Sequence, residues 1–313
     1  MNSPAAMPFD AALLHAALDQ ISTVIKGKPT QLADCLACLI AGGHLLIEDL
    51  PGVGKTTLAQ ALSLTLGLQF ARVQFTADLL PSDLLGVNVF ERESGRFDFR
   101  PGPVFAQVLL ADEINRAGPK TQSALLEAME ERQVTIEGQS HPLPLPFFVI
   151  ATQNPSEQLG TYPLPESQLD RFLMTIRLGY PDRKAERDML TGRDSRELLT
   201  ELRPVMSPTQ LQATQAAARA LHVSPALLDY LQLLLDATRN GHWFVEGLSP
   251  RAGLAWLRAA RAKALLAGRP HVSPEDLQSC AVQVLAHRLR ARAGAGRGSA
   301  EQVRAMIESV ALP

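Results

Sequence analysis

The fold of this 313-residue chain is decided by residues 45–57, LLIEDLPGVGKTT. An apolar run typical of a buried strand enters a glycine-rich turn, and Lys55 then opens a helical pattern. The N–H groups of such a turn, together with a helix N-terminus, bind phosphate anions, so the stretch predicts a P-loop. The residues expected here to bind ATP or ADP are Pro51, Gly52, Val53, Gly54, Lys55, Thr56 and Thr57.

Two P-loop side chains have specific predicted roles. Lys55 is expected to reach the β- and γ-phosphates and to assist catalysis, and the Thr56 hydroxyl to bind Mg²⁺. The stretch departs from the pattern G-x-x-x-x-G-K-[ST] at its first position, where Asp49 replaces glycine. The Gly-Lys-Thr centre is intact, and we therefore still predict phosphate binding.

Further apolar runs on both sides of the P-loop predict a parallel sheet whose strands are buried on both faces. The five predicted strands are 45–47, 70–75, 104–111, 147–152 and 172–178. Helical patterns fall between several of them, which indicates a three-layer α/β fold. Residues 87–99 and 133–148 alternate in polarity around glycine turns and predict two inserted β-hairpins, with plain loops as the alternative.

The second half of the chain shows helical patterns only. Its predicted helix starts are Pro181-Asp182 and four Ser-Pro pairs, Ser207-Pro208, Ser224-Pro225, Ser249-Pro250 and Ser273-Pro274. Serine accepts a hydrogen bond from an otherwise unpaired helix N–H, and proline removes another such group. We therefore predict a nucleotide-binding core over residues 1–180 and a small helical domain over residues 181–313.

Polar residues follow two of the predicted strands. Asp112 and Glu113 end the run VLLADE, at the strand edge where open α/β sheets bind ligands. We expect Asp112 to hold Mg²⁺ through water, and Glu113 to orient and deprotonate the attacking water. Asn154 ends a neighbouring strand and is expected to contact the water or the γ-phosphate, although an Asn-Pro pair is also ordinary turn chemistry.

Two arginines are further candidates. Arg171 is predicted as an arginine finger presented to a neighbouring subunit, the alternative being a salt bridge to Asp170 or Glu166. Arg251 lies in the first turn of a predicted helix, where its charge opposes the helix dipole, which indicates a role in binding the γ-phosphate. Arginines at positions 288, 290, 292 and 297 are predicted to form a solvated surface or a C-terminal helix turn favoured by the helix dipole, in preference to a nucleic-acid site.

Composition argues against several classes of protein. The formal net charge of −2 and an aromatic content of 5% argue against a nucleic-acid-binding protein. Cys35 and Cys38 form a CxxC within a helical apolar pattern, where burial is a better interpretation than redox or metal chemistry. Residues 1–10 do not resemble a signal peptide, and no apolar run is long enough to span a membrane. We expect a cytoplasmic protein.

In its motifs the chain resembles the MoxR family of AAA+ ATPases. The segments that carry the resemblance are 24–27 (VIKG), 43–49 (GHLLIED), 74–83 (QFTADLLPSD), 112–117 (DEINRA), 151–155 (ATQNP), 164–166 (LPE), 249–252 (SPRA), 268–276 (GRPHVSPED) and 287–289 (HRL). Asp49 is itself typical of this family. Lys26 and Leu248 depart from its usual valine and alanine, which affects only adenine packing and lid fit.

The resemblance implies an αβα sandwich with a parallel five-stranded core sheet of order 5-1-4-3-2, followed by a helical lid. It implies a homo-oligomeric ring, usually a hexamer, with ATP between subunits. The roles carried over are adenine contact for Val24, Ile25 and Gly27, sensor 1 for Asn154, arginine finger for Arg171 and sensor 2 for Arg251. Arg116 is a further candidate for facing the neighbouring subunit.

The resemblance also implies ATP hydrolysis that drives chaperone-like remodelling or maturation of a client protein complex, commonly with a partner that carries a von Willebrand factor A domain. Two other functions stay open at this point. One is a nucleic-acid motor, and the other is a scaffold that binds ATP with little turnover.

Overall fold

The structure is a computed structural model that describes residues 11–155, 160–240, 242–292 and 297–312. The interpretation of residues 1–10 as lacking a signal peptide lies outside the described residues.

Nine strands are described, and five of them form the central sheet. The strands are β1 (Leu45–Glu48), β2 (Phe70–Gln74), β3 (Gly86–Glu91), β4 (Arg96–Pro101), β5 (Val108–Asp112), β6 (Gln133–Ile136), β7 (Gln139–Pro142), β8 (Phe148–Gln153) and β9 (Met174–Ile176). The sheet order is β2-β5-β8-β1-β9, and all neighbours are parallel. This is the order 5-1-4-3-2, so the predicted α/β sandwich is confirmed.

Helices cover the sheet and form the C-terminal part of the chain. They are α1 (Ala11–Val24), α2 (Pro29–Ile40), α3 (Lys55–Thr65), α4 (Pro81–Leu85), α5 (Pro119–Glu131), α6 (Glu166–Leu169), α7 (Arg183–Thr191), α8 (Ser195–Glu201), α9 (Pro208–Ala220), α10 (Pro225–Arg239), α11 (Pro250–Leu266), α12 (Pro274–Leu285) and α13 (Ala300–Glu308). Each predicted Ser-Pro pair caps a helix of this set, and Asp182 caps α7.

Alternate side chains of the central strands enter two hydrophobic cores, one on each face of the sheet. Leu45 and Ile47 of β1 lie in the core shared with α1, α2 and α3, whereas Leu46 lies in the core shared with α5. Successive strand residues point to opposite faces, which is why a continuous apolar run suits a strand buried on both sides.

The prediction that every strand is buried on both faces is wrong for β2. This strand lies at the edge of the sheet, and its residues Arg72 and Gln74 are exposed. An edge strand has a neighbour on one side only, so polar side chains on it can reach solvent or the end of the adjacent strand.

The two predicted hairpins are both present. β3 and β4 pair antiparallel from Gly86↔Pro101 to Glu91↔Arg96, and β6 and β7 pair from Gln133↔Pro142 to Ile136↔Gln139. They form two separate two-stranded sheets outside the central one.

The C-terminal helices pack against the core instead of standing apart from it. The hydrophobic core that contains α2 continues into α11, where Trp256 is fully buried. Lys263 of α11 also forms an ion pair with the buried Asp34 of α2. The division at residue 180 therefore remains a prediction.

The burial of side chains bears on two further predictions, one for the CxxC cysteines and one for the arginine cluster. Cys35 and Cys38 are buried free thiols, and burial raises the pKa of each, as the apolar interpretation requires. The prediction of a solvated arginine surface is wrong for Arg288, whose side chain is 5% exposed and pairs with Asp170. In the part of the chain that the structure describes, no helix combines the length and apolarity needed to cross a bilayer.

The buried His44 joins the start of β1 to two other elements. Its Nδ1 accepts a hydrogen bond from the Val149 N–H at 3.0 Å, and its Nε2 lies 3.2 Å from the Met129 carbonyl oxygen. Burial lowers the pKa of His44 from 6.5 to about 4. The neutral ring therefore stabilises the fold above pH 6.5, and this contribution is lost as the pH falls towards 4.

The variant His44→Gln tests this account. Because one protonation difference between the folded and unfolded states is removed, the free energy of unfolding near pH 5 should depend on pH less steeply than in the native chain, by up to about 1.4 kcal/mol per pH unit. Urea denaturation at pH 7, 6 and 5 measures the slope. His15→Gln on the exposed face of α1 is the control, and a His44→Gln slope equal to the native one would contradict the prediction.

Candidate functional site

The P-loop joins the buried strand β1 to helix α3. Gly52 and Gly54 have φ of 84° and 91°, in the left-handed region that favours glycine. Gly54 is the N-cap of α3 and supplies no capping side chain, and no side-chain hydrogen bond from another described residue caps this end. The first N–H groups of α3 are thus left for an anion, which the helix dipole also favours.

Asp49, the residue that departs from the general P-loop pattern, fixes the entrance of the loop. Its carboxylate accepts hydrogen bonds from the N–H groups of Leu50 at 2.9 Å and Gly179 at 2.6 Å. Gly179 follows β9, so Asp49 ties the loop to the far edge strand. The Lys55 ammonium donates to the Asp49 carbonyl at 2.8 Å, and burial lowers the pKa of Lys55 against the opposing effect of nearby carboxylates.

Asp112 is the last residue of β5 and Glu113 follows it, as predicted. Thr152 of β8 forms a hydrogen bond with each of them. The Thr152 hydroxyl donates to Asp112 Oδ1 at 2.6 Å and accepts from the Glu113 N–H at 2.9 Å. Glu113 has a φ of 57°, a left-handed conformation that is unfavourable for a residue with a side chain. Strain of this kind persists where surrounding contacts fix it, and it is concentrated at functional sites.

Two residues of the edge strand β2, to which the sequence analysis assigned no role in the site, complete this cluster. Arg72 Nη2 lies 2.7 Å from Asp112 Oδ2, and Gln74 Nε2 donates to Glu113 Oε2 at 2.8 Å. Their signal in the sequence is two polar residues spaced by two in an otherwise apolar run. Recognising it requires knowing that β2 is the edge strand beside β5.

Most residues of the predicted nucleotide site line one cavity of about 390 Å³. Its lining residues are Pro51, Gly52, Gly54, Lys55, Thr56, Thr57, Arg72, Gln74, Asp112, Glu113 and Asn154. Asn154 follows the end of β8, as expected. Val53 does not line this cavity and instead packs against the larger hydrophobic core.

The donor set of this cavity fits Mg²⁺ bound together with a nucleotide. Thr56 and Asp112 offer oxygen ligands, the type that Mg²⁺ prefers. The described residues contain no group of three or more histidine, cysteine or acidic side chains placed to hold a metal. Mg²⁺ commonly binds through one or two protein oxygens plus substrate phosphates, so the absence of such a group within the described chain is compatible with the prediction.

The predicted adenine contacts lie beside the helix that follows the sheet. A Cβ placed on Gly27 would stand 2.7 Å from Ala185 Cβ of α7, so glycine permits this close approach. Val24 lines a second cavity of about 580 Å³, next to α7 and α8. Ile25 packs at the margin of the larger core.

Arg171 and Arg251 lie together, and neither lines the P-loop cavity. Glu130 of α5 pairs with both: its Oε2 is 3.2 Å from Arg171 Nη2, and its Oε1 is 2.9 Å from Arg251 Nη2. Asp170 and Glu166, both among the described residues, are not ion-pair partners of Arg171. Asp170 pairs with Arg288 and lies 3.8 Å from Arg251 Nε, and Glu166 pairs with Arg290. Arg251 is the second residue of α11, as predicted.

Comparison with known proteins identifies the family. Residues 44–174 match the model of the ATPase family associated with various cellular activities (AAA), and residues 237–309 match the AAA lid domain. The chain is 45% identical over 277 residues to YeaC of Bacillus subtilis, covering 88% of this chain and 87% of that protein. It is 41% identical over 285 residues to the chaperone MoxR1 of Mycobacterium tuberculosis, covering 88% of this chain and 75% of that protein.

The chain belongs to the MoxR family of AAA+ ATPases.

A solved structure supports the same assignment at the level of the whole fold. The crystal structure of an ATPase candidate from Cytophaga hutchinsonii superimposes on this MoxR-family chain with a TM-score of 0.87 and 34% sequence identity. The match covers 97% of this chain and 96% of the other. The segment that matches the AAA model spans the P-loop, Asp112, Asn154 and Arg171, and the segment that matches the lid model spans Arg251.

Thr152→Val tests the coupling between β5 and β8 in this MoxR-family chain. The substitution removes the hydroxyl that donates to Asp112 and accepts from the Glu113 N–H. Because buried polar groups then lose their partner, we expect the free energy of unfolding to fall by about 1–3 kcal/mol. Thr175→Val on β9 is the matched control, because the Thr175 hydroxyl is buried without a hydrogen-bond partner among the described residues. Equal stability of the two variants in urea denaturation would contradict the assigned role of Thr152.

Proposed function

We propose that this MoxR-family chain hydrolyses ATP to ADP and phosphate between copies of itself, and uses the reaction to remodel a client protein complex. The observation that carries the proposal is the separation of the site into two parts. The P-loop cavity contains Lys55, Asp112, Glu113 and Asn154, whereas Arg171 and Arg251 lie together outside it. Two such parts complement each other when the arginines of one subunit face the cavity of the next.

Within the cavity each residue has a distinct task. Lys55 and the N-terminus of α3 bind the phosphates, and Thr56 and Asp112 would hold Mg²⁺. Mg²⁺, when bound, neutralises charge on the phosphate oxygens. Glu113 accepts a proton from water as the water oxygen bonds to the γ-phosphorus and the bond to the ADP oxygen breaks, while Asn154 orients that water.

Arg171 and Arg251 would stabilise the charge that develops on the transferred phosphoryl group. Guanidinium groups suit this task because they stay charged and bind phosphate in a planar, two-pronged geometry. Glu130 contacts both arginines within one subunit. Its carboxylate therefore occupies the position, between the two guanidinium groups, that a phosphate of the neighbouring subunit would take.

The client and assembly are also part of the proposal. A relative of this chain is named a chaperone, which supports remodelling of a protein client. We propose a hexameric ring, a partner with a von Willebrand factor A domain, and a cytoplasmic location. All three cysteines are free and buried, as expected in a reducing compartment.

Phosphate release measured against protein concentration tests hydrolysis between subunits. We expect the rate per subunit of the native chain to rise with concentration. Glu113→Gln and Arg171→Ala should each lower that rate by about 10²-fold or more while still binding nucleotide, because each removes a group needed in the transition state. Arg304→Ala, at an exposed position of α13, is the control.

Two outcomes of this experiment would contradict parts of the proposal. A rate per subunit that is independent of concentration, with full activity in Arg171→Ala, would rule out the arginine finger. A negligible native rate that Glu113→Gln leaves unchanged would instead favour an ATP-binding scaffold.

A mixing experiment tests whether Arg171 acts across the interface. Lys55→Ala and Arg171→Ala are each expected to be inactive alone. In an equal mixture we expect about a quarter of the native rate, since random assembly pairs an intact P-loop with an intact arginine at about one interface in four. A mixture as inactive as its components, with both variants still assembled by light scattering, would show that Arg171 acts within its own subunit.

A further inference from the structure

Arg72 and Gln74 connect the two acidic residues of the P-loop cavity. They lie two residues apart on β2 and so point to the same face of the sheet. Arg72 pairs with Asp112 at 2.7 Å, Gln74 donates to Glu113 at 2.8 Å, and Arg72 Nη2 donates to Gln74 Oε1 at 3.3 Å. A continuous chain of polar contacts thus runs from the predicted metal ligand to the predicted base.

Both oxygens of the Asp112 carboxylate are engaged in this arrangement. Oδ1 accepts from the Thr152 hydroxyl, and Oδ2 accepts from Arg72. The Thr152 contact is buried and Thr152 also accepts from the Glu113 N–H, so the packing of β5 against β8 maintains it. Oδ2 is then the oxygen through which Asp112 would serve a metal, and a guanidinium already occupies it.

We propose that Arg72 competes with Mg²⁺ for the Asp112 carboxylate and is displaced from it when the nucleotide binds with Mg²⁺. This inference rests on the proposed function. Arg72 on Asp112 Oδ2 opposes metal binding, because its charge repels a second cation brought close and it uses an acceptor site that the metal or its bound water needs. Arg72 can move into solvent because its side chain is 47% exposed, whereas the Asp112 carboxylate is 11% exposed and would gain the metal as its new positive partner.

The departure of Arg72 also affects the base. In the resting chain Glu113 is held by Gln74 at 2.8 Å and by Arg116 at 3.1 Å. Gln74 is oriented in turn by the hydrogen bond from Arg72 to its side-chain oxygen. Loss of that bond removes one constraint on the Gln74 amide and so weakens one of the two contacts on Glu113, while the Arg116 contact is unaffected.

Titration with Mg²⁺ of the full chain and a fluorescent ADP analogue tests the proposal by binding, without activity. ADP is the probe because it lacks the γ-phosphate, with which a freed Arg72 could also interact. In Arg72→Gln we expect the Mg²⁺ concentration for half-maximal binding to fall by about three- to tenfold, because a competing charge-assisted hydrogen bond is removed. Arg72→Lys keeps the positive charge but replaces the planar guanidinium with an ammonium group. We expect its Mg²⁺ midpoint to lie between those of the native chain and Arg72→Gln.

Arg100→Ala is the matched control, since Arg100 is an exposed arginine that pairs with Glu91 on the β3–β4 hairpin. It should leave the Mg²⁺ midpoint unchanged, and the thermal unfolding curve of Arg72→Gln should overlay the native one. An Arg72→Gln midpoint equal to the native midpoint overturns this inference alone. Absence of nucleotide binding by the native chain at every Mg²⁺ concentration overturns the proposed function together with it.

Discussion

The register of three neighbouring parallel strands is the constraint on which the nucleotide cavity depends. Leu110 of β5 pairs with Ile150 of β8, and Ile47 of β1 pairs with Thr152. Strands that run parallel and in register end at one edge, so the acidic residues after β5, the Thr152 hydroxyl and the start of the P-loop meet there. A shift of one residue in any strand would turn these side chains to the opposite face.

At the cavity and the entrance of the P-loop, the chain's own groups already pair with the acidic side chains. Asp112 has Arg72, Glu113 has Arg116, and the Asp49 carboxylate has two backbone N–H groups. Binding of a metal and a nucleotide therefore exchanges existing contacts for new ones. Such an exchange is a means by which occupation of the site can alter the position of its residues.

The packing of the C-terminal helices determines where the second group of charges lies. α11 shares a hydrophobic core with α2, and the ion pair between Lys263 and Asp34 adds a polar contact between the same two helices. This packing brings Arg251 to Glu130 of α5, beside Arg171. The arginines are consequently held at a fixed place on the surface of the subunit, away from its own P-loop cavity.

The sequence by itself determined the P-loop, the five core strands, the polar residues at the ends of β5 and β8, and the serine caps of the C-terminal helices. All of these are local patterns, because a strand, a turn or a helix start is encoded within a few residues. Only the tertiary structure decided that β2 is an edge strand whose Arg72 and Gln74 reach Asp112 and Glu113. It also decided that Glu130 pairs with both candidate arginines. These contacts join residues that are distant in sequence, and they depend on which strands and helices become neighbours, a choice that no local pattern contains.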